Sequence, residues 1–289
     1  MHRNHLSPPV FPYPWAAEWG EDACGLWQAL IFQDVRQVFR WIEPGRFLMG
    51  SPENETEREW RGYAEFNGSE TQHQVTLSMG FWLADIAVTQ ALWLAVMAGE
   101  NPSHFQQSPE NPVESVSWDD VQLFIDKLNN LLPGLNAQLP SEGQWEYACR
   151  GGTATPFAFG ENISPELVNY DGNYPYADAE KGVYREKTVP VQFLPANDWG
   201  LYEMHGNVWE WCQDTWQENL GSEPVTDPLN SAADAGASRV LRGGSWYGYG
   251  RAVRSAFRSH LASVDRFDYI GFRLSLGHTE LRSSQASGA

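Results

Sequence analysis

Glycine and proline interrupt this chain from end to end, and they limit it to short elements joined by loops. The 289 residues include 26 Gly and 18 Pro, and both residue types destabilise the interior of a helix or strand. Only a few stretches keep a helical pattern. Because 42% of the residues are hydrophobic and 14 are Trp, the chain can still bury a core. The sequence therefore predicts an α+β domain with few helices and long loops.

Three helices are predicted from their first residues. One covers residues 89–98. Another follows Ser117, because Asp120 completes a capping-box pattern and an apolar stripe follows at intervals of three and four. A short third helix over residues 142–149 follows Ser141 and ends at a Gly-Gly pair.

The remaining elements are predicted to be strands and loops. We expect a hairpin over residues 35–49 and an exposed acidic loop over residues 52–72. Later strands are predicted at residues 207–212, 239–246 and 270–276. The predicted domain boundaries are a Trp- and Pro-rich N-terminal extension (1–34) packed on the domain, a single domain (35–278) and a flexible C-terminal tail (279–289).

A formal net charge of -18 restricts the partners of this chain. Such a charge disfavours nucleic acid and anionic membranes. It is consistent with a solvated acidic surface or with carboxylate ligands for calcium. Three widely spaced cysteines predict neither a disulfide framework nor a thiolate zinc site. With no signal-peptide pattern and no long apolar run, we expect a cytoplasmic, soluble monomer.

Six sequence blocks occur in a distinctive order and spacing. They are residues 47–51, 112–120, 139–152, 200–211, 239–246 and 271–273. Their order and spacing resemble those of the formylglycine-generating enzyme (sulfatase-modifying factor) family, and this resemblance implies a variant of the C-type lectin fold with small antiparallel sheets. The tryptophans and glycines of these blocks also have an ordinary structural interpretation, as core side chains and tight turns.

The resemblance also implies calcium. In the family, one site uses a side chain and backbone carbonyls around the Trp-Glu-Trp sequence, and a second begins with an Asn-x pair. The corresponding residues of the first site are Glu203, Gly206, Val208 and Glu210, and those of the second are Asn169 and Tyr170. The alternative is that these acidic side chains only accept hydrogen bonds within a loop.

Family enzymes oxidise a substrate cysteine with two active-site cysteines and copper. Here the matching positions are Gly248 and Val253, and neither side chain can form a thiolate or bind a soft metal. We therefore expect no copper and no catalysis of this kind.

Residues 247–269, which replace the catalytic segment, have an unusual composition. They contain no Met, Trp, Gln, Lys or Glu, although those types make up roughly a fifth of the chain. An Asn codon ending in a pyrimidine cannot become any of these five when only its adenines change. The segment therefore looks like the adenine-mutagenised region of a variable protein from a diversity-generating retroelement, although an ordinary family loop without its cysteines is an alternative.

The sequence thus predicts a non-catalytic protein that binds an unknown protein or other macromolecule through residues 247–269. Tyr, Ser, Gly and Phe form a mixture typical of binding loops. Arg251, Arg254, Arg258, Arg266 and Asp265 are predicted to support the loop. The predicted contact residues are Tyr247, Gly248, Tyr249, Ala252, Phe257, Ser259, His260, Leu261, Ser263, Val264, Phe267, Asp268 and Tyr269. The alternative function is a family oxidoreductase or accessory protein with displaced chemistry.

Overall fold

The computed structural model describes residues 6–58, 69–231 and 237–277. The predicted tail 279–289 lies outside these residues. The α-helices are α1 (Gln90–Met97), α2 (Trp118–Leu131) and α3 (Glu142–Arg150). The strands are β1 (Glu18–Asp22), β2 (Gly25–Phe32), β3 (Val35–Ile42), β4 (Gly45–Met49), β5 (His73–Leu77), β6 (Phe81–Ala84), β7 (Ala137–Gln138), β8 (Trp209–Thr215), β9 (Val225–Thr226), β10 (Ser238–Arg242), β11 (Arg258–Ala262), β12 (Ile270–Gly271) and β13 (Ser275–Leu276).

The strands form small sheets. One six-stranded sheet has the order β1-β2-β3-β6-β13-β7 and is antiparallel throughout. A four-stranded sheet has the order β11-β10-β8-β12, and a three-stranded sheet has the order β4-β5-β9. Each smaller sheet contains one parallel pair, β12 with β8 and β9 with β5. The predicted α+β class is confirmed, but the sheets are not purely antiparallel.

The three predicted helices are confirmed, and their caps explain where they begin. The Asp120 backbone N–H donates to the Ser117 hydroxyl at 3.1 Å, and the Ser117 N–H donates to the Asp120 carboxylate at 3.0 Å. Ser141 and Gln144 form the same reciprocal pair at α3. Gly151 ends α3 in the left-handed region, with φ 54°, where a residue without Cβ has least strain.

The main core lies between the six-stranded sheet and helices α1 and α2. Phe124 of α2 is fully buried, and its ring stacks on Trp93 of α1 at 5.2 Å. Burying an aromatic side chain of this size contributes about 1.5–3 kcal/mol. The beginning of α2 lies beside residues 247–269, where the Asp119 N–H donates to the Ser263 carbonyl at 3.3 Å.

The predicted hairpin over residues 35–49 is wrong. β3 pairs with β2 and β6, whereas β4 pairs with β5 in another sheet. The strand pattern is local, but the choice of partner is made by packing with distant residues. The strand predicted at residues 270–276 is likewise divided between two sheets, as β12 and β13.

The N-terminal residues contribute two strands to the largest sheet, and their aromatic side chains also pack against it. β1 and β2 add two strands to β3, so the sheet continues across the boundary predicted at residue 34. The predicted aromatic packing is present, since the Trp15 ring lies 5.8 Å from Phe39 and the Phe11 ring 5.8 Å from Trp82. Within the described ranges, no helix is long and apolar enough to cross a membrane.

Candidate ligand-binding surface

Residues 247–269 run along one edge of the four-stranded sheet. After β10 the chain passes through a 3-10 helix (Gly250–Val253) and then forms β11, the edge strand. β11 pairs with β10 from Arg242 opposite Arg258 to Ser238 opposite Ala262. The segment therefore has a regular strand at its centre and a loop on either side.

Two arginines of this segment are anchored in the protein interior. Arg254 donates to the Glu70 carboxylate at 2.7 and 2.8 Å and to Glu55 at 2.6 Å. Arg258 donates to both oxygens of Glu142, at 2.5 and 2.9 Å. Burial would raise the pKa of Glu142, but Arg258 holds it below its ordinary value. Because these pairs are buried, losing one partner would leave an uncompensated charge.

The exposed loop predicted at residues 52–72 is confirmed at Glu53, Asn54 and Thr56, and residues 59–68 lie outside the described residues. Glu55 and Glu70 are exceptions. Their side chains are only 5% and 1% exposed, because both accept hydrogen bonds from Arg254. Burial dominates at Glu55 and raises its pKa despite the guanidinium. Composition identified acidic residues, but it did not identify their buried partner 184 to 199 residues further along the chain.

Other charged residues of the segment hold its outer loop. Arg266 donates to both oxygens of Asp120, at 2.7 and 2.8 Å, on the surface. Asp265 accepts a hydrogen bond from the Ala262 N–H at 3.1 Å. The predicted supporting role is thus confirmed for Arg254, Arg258, Arg266 and Asp265. The Arg251 guanidinium lies 6.0 Å from the centre of the Tyr249 ring, in the same segment.

The predicted contact residues differ in exposure. Tyr247, Tyr249, Val264 and Phe267 are exposed, at 60%, 38%, 56% and 41%. A second group is half-buried: Gly248, Ser259, His260, Leu261, Asp268 and Tyr269. The structure therefore leaves these two groups accessible to a ligand, most of all the four exposed side chains.

Three predicted contact residues are wrong because their side chains are buried. Ala252, Phe257 and Ser263 are only 5%, 3% and 6% exposed. The Phe257 ring packs against Trp209 at 6.0 Å. Composition reports which residue types occur in a segment, but it does not report which side chains point inward.

The rings of this region form two contact groups, which together we call the aromatic surface. One runs from Tyr184 through the buried Trp246 to Tyr247, Tyr269 and Phe267, and the other pairs Tyr174 with Tyr249. Tyr247 contacts Trp246 at 5.6 Å and Tyr269 at 6.1 Å, and Tyr269 stacks on Phe267 at 5.2 Å. His260 lies elsewhere and stacks on Trp216. The aromatic surface consists of Tyr174, Tyr184, Trp246, Tyr247, Tyr249, Phe267 and Tyr269.

Tyr174 and Tyr184 were missed by sequence reasoning. Tyr174 lies 4.3 Å from Tyr249, and Tyr184 stacks on Trp246 at 6.2 Å. Both come from a loop far from residues 247–269 in the chain. The signal available was a run of tyrosines in a loop rich in Gly, Asn and Asp, which does not by itself indicate a neighbour.

The two family cysteine positions have backbone and packing roles here. The Gly248 carbonyl accepts a hydrogen bond from the Asp171 N–H at 2.9 Å. Val253 is fully buried in a small cluster with Phe157 and Tyr176. Val253 therefore faces the interior, where it contributes to packing.

A buried cysteine and a buried histidine lie close to these positions and contact each other. Cys149 Sγ is 3.6 Å from His205 Nε2. The Ala158 N–H donates to His205 Nε2 at 3.1 Å, which leaves Nδ1 to donate to the Val253 carbonyl at 2.7 Å. Burial raises the pKa of Cys149 to about 12 and lowers that of His205 to about 4. The thiol is therefore neutral near pH 7, and the imidazole nitrogens are already occupied.

Two predicted calcium ligands, Glu203 and Glu210, accept hydrogen bonds from neighbouring donors. Both Glu210 oxygens accept hydrogen bonds from Arg273 at 2.7 Å, and Trp145 Nε1 donates to one of them at 2.7 Å. Glu203 accepts from the N–H groups of Gln192 and Leu194. Burial raises the pKa of Glu203 to about 7.

The remaining predicted ligands lie next to these residues. Asn169 and Gly206 form a parallel bridge, and the Asn169 amide donates to the Lys187 carbonyl and to Asn207. Asn169 Oδ1 and the Tyr170 hydroxyl are buried and have no hydrogen-bond partner among the described residues. Val208 is buried beside them.

These residues do not fit a calcium ion held by Glu210, because the ion would have to displace Arg273. Among the described residues, no three His, Cys, Asp or Glu side chains lie together in a way that could hold a metal ion. Calcium binding at the two predicted sites stays a prediction.

Comparison with known proteins gives both a family and a similar structure. The bovine (Bos taurus) formylglycine-generating enzyme is 30% identical over 207 residues, covering 66% of this chain and 53% of that protein. The bovine "Inactive C-alpha-formylglycine-generating enzyme 2" is 32% identical over 187 residues, covering 64% and 54%. The chain thus spans about half the length of these curated relatives.

A solved structure covers more of the molecule. Treponema denticola variable protein 1 has a TM-score of 0.70 and 26% identity, and the match covers 86% of this chain and 98% of that one. The family described as "Sulfatase-modifying factor enzyme 1-like domain" matches residues 32–276. This chain therefore belongs to the sulfatase-modifying factor enzyme 1-like family.

Proposed function

We propose that this chain is a non-catalytic variable protein that binds a macromolecular ligand through the exposed side chains of residues 247–269. The observation that carries the proposal is the separation of roles within that segment. Arg254 and Arg258 are buried in ion pairs, whereas Tyr247, Tyr249, Val264 and Phe267 are exposed. Exposed side chains can therefore change while the anchors of the segment stay the same.

The energetics favour such a division. Substitutions of exposed side chains usually change stability by less than about 0.5 kcal/mol, whereas breaking a buried ion pair costs about 3–5 kcal/mol. Mutagenesis by a diversity-generating retroelement would therefore destabilise the fold least at the exposed positions. Tyrosine and phenylalanine also provide large, rigid contact areas with few rotatable bonds.

The comparisons support this proposal at the level of the scaffold. The similarity to Treponema denticola variable protein 1 extends over most of the chain, and a family relative is named inactive. An oxidoreductase with displaced chemistry would need another thiolate, and burial raises the pKa of the nearby Cys149 to about 12. We also propose a cytoplasmic monomer whose ligand is neither nucleic acid nor a membrane, in keeping with the net charge of -18.

Sequencing the gene from many isolates of the source organism tests the variable-protein proposal. We expect substitutions at the codons for Tyr247, Tyr249, Val264 and Phe267, each matched by an adenine in a nearby template repeat beside a reverse-transcriptase gene. The codon for Arg254 should stay constant. Substitutions spread evenly along the gene, without a template repeat, would contradict the proposal.

A copper-dependent oxidation assay on a cysteine peptide tests the absence of catalysis. We expect no aldehyde product by mass spectrometry, with a formylglycine-generating enzyme as the positive control. Repeated turnover by this chain would overturn the non-catalytic proposal, whatever the sequencing shows.

A further inference from the structure

Part of the aromatic surface comes from outside the variable segment. Tyr174 is 52% exposed, and its ring lies 4.3 Å from that of Tyr249 with 32° between the ring planes. Backbone hydrogen bonds hold the two loops together, since the Asp171 N–H donates to the Gly248 carbonyl and the Gly250 N–H donates to the Tyr174 carbonyl, both at 2.9 Å. A ligand that reaches Tyr249 will therefore also meet Tyr174.

Carboxylate groups lie beside these rings. The Asp171 N–H donates to the Gly248 carbonyl at 2.9 Å, and Trp246 Nε1 donates to the Asp268 carbonyl at 3.2 Å, so both aspartates are next to the aromatic surface. Burial, together with the negative charges of Asp171, Glu186 and Asp268, raises the pKa of Tyr184 to about 12. Asp268 is also the main nearby charge that raises the pKa of Tyr269 after burial. The rings thus lie in a negative field.

Three of the described arginines lie close to the surface. Arg266 is paired with Asp120, Arg185 donates to the Pro165 carbonyl, and the Arg251 guanidinium lies 6.0 Å from the centre of the Tyr249 ring. The chain also uses ring faces to hold cations, as where the Arg239 guanidinium lies 4.0 Å from the centre of the Trp118 ring. Such contacts combine the electron-rich ring face with a positive charge.

Resting on the proposed function, we infer that Tyr174 and Tyr184 form a constant part of the binding surface and that this surface binds a lysine or arginine side chain of a protein partner. The ring faces and the carboxylates act in the same direction, because both attract a cation. An anionic partner would face like charges at Asp171, Glu186 and Asp268. Substitutions in residues 247–269, beside the constant Tyr174 and Tyr184, would then change which basic peptide of a partner binds. The preference for a positively charged side chain would stay the same.

The probe is a displayed library of random dodecapeptides, selected against the immobilised full chain. We expect the selected peptides to be enriched in Lys and Arg. Their affinities, measured by fluorescence anisotropy, should fall about tenfold in Tyr174→Ala and in Tyr184→Ala, the loss expected for one cation–π contact. Trp19→Ala is the matched control, because Trp19 is 53% exposed on β1 and should have no effect.

Two further measurements test how much the carboxylates of the surface contribute to peptide binding. Glu186→Gln and Asp268→Asn keep the shape of the surface and should each weaken the same peptides. Raising the salt concentration should weaken them too, because salt screens exposed charges. Tyr174→Ala and Glu186→Gln alter exposed residues, so these variants should stay folded. Thermal melts check that the other variants are folded.

The outcomes separate this inference from the proposed function. If Tyr247→Ala abolishes binding while Tyr174→Ala and Tyr184→Ala do not weaken it, the variable surface stands and the inference is wrong. Selected peptides without Lys or Arg enrichment, a library that yields no binder, or oligosaccharides bound in place of peptides would also overturn it. Peptide binding that is unchanged in all the tyrosine variants, Tyr247→Ala included, would contradict both.

Discussion

Replacing Arg258 with Met tests whether a buried ion pair anchors residues 247–269. Arg258 donates to both oxygens of Glu142 and also to the Ser69 carbonyl at 2.9 Å, and its residue is only 2% exposed. Methionine fills much of the volume, but among the described residues it leaves Glu142 with one ion-pair partner, Arg242, at 3.4 Å. Removing one partner of a buried pair costs about 3–5 kcal/mol. At about 2–4 °C per kcal/mol for a large domain, the Tm should fall by roughly 6–20 °C.

Arg266→Met is the matched control for this experiment. The Arg266 side chain is 52% exposed, and its pair with Asp120 lies on the surface, so its loss should cost at most about 1 kcal/mol. Adding Glu142→Gln to Arg258→Met should recover part of the lost stability, because it removes the uncompensated buried charge. Urea and thermal unfolding measure all three variants. Equal losses in Arg258→Met and Arg266→Met would refute the anchoring role.

Three other measurements follow from buried groups. Burial raises the pKa of Asp214 to about 7, so the folded protein keeps a proton that the unfolded chain releases near pH 4. The unfolding free energy should therefore fall as pH rises from about 4 to 7. Urea titrations of Asp214→Asn should show a shallower fall. Iodoacetamide should label the half-buried Cys24 but not the buried Cys149 in the native protein, and mass spectrometry showing labelled Cys149 would contradict its inert state. Calcium added after chelation should leave the Tm unchanged because Arg273 neutralises Glu210, whereas a rise of several degrees would restore the predicted site.

The helices could be predicted because their signals are local. Ser117 and Asp120 are three residues apart, and their reciprocal hydrogen bonds are those of the capping box expected from the sequence. The partners of β3 and β4 could not be predicted in this way. β3 pairs with β6, from Ile42 opposite Phe81 to Phe39 opposite Ala84, and such a choice depends on the complete core.

The candidate surface was predicted only in part, for a related reason. The composition of residues 247–269 located the segment and its supporting arginines. It could not show that Phe257 packs inward on Trp209 or that Tyr174 lies beside Tyr249. Both facts depend on contacts between residues far apart in the chain, which no local pattern contains.

The buried members of the segment also limit how far it can vary. Ala252, Phe257 and Ser263 have residue types that adenine mutagenesis of an Asn codon can produce, yet all three are buried. A longer side chain at Ala252 would crowd the fold, and a polar one at Phe257 would be buried without a partner, each at a cost of about 1–3 kcal/mol. If the codons at these positions are mutagenised, selection for folding should keep them small or apolar while Tyr247 and Phe267 vary freely. The diversity that this protein can display would then be set by side-chain exposure as well as by the genetic template.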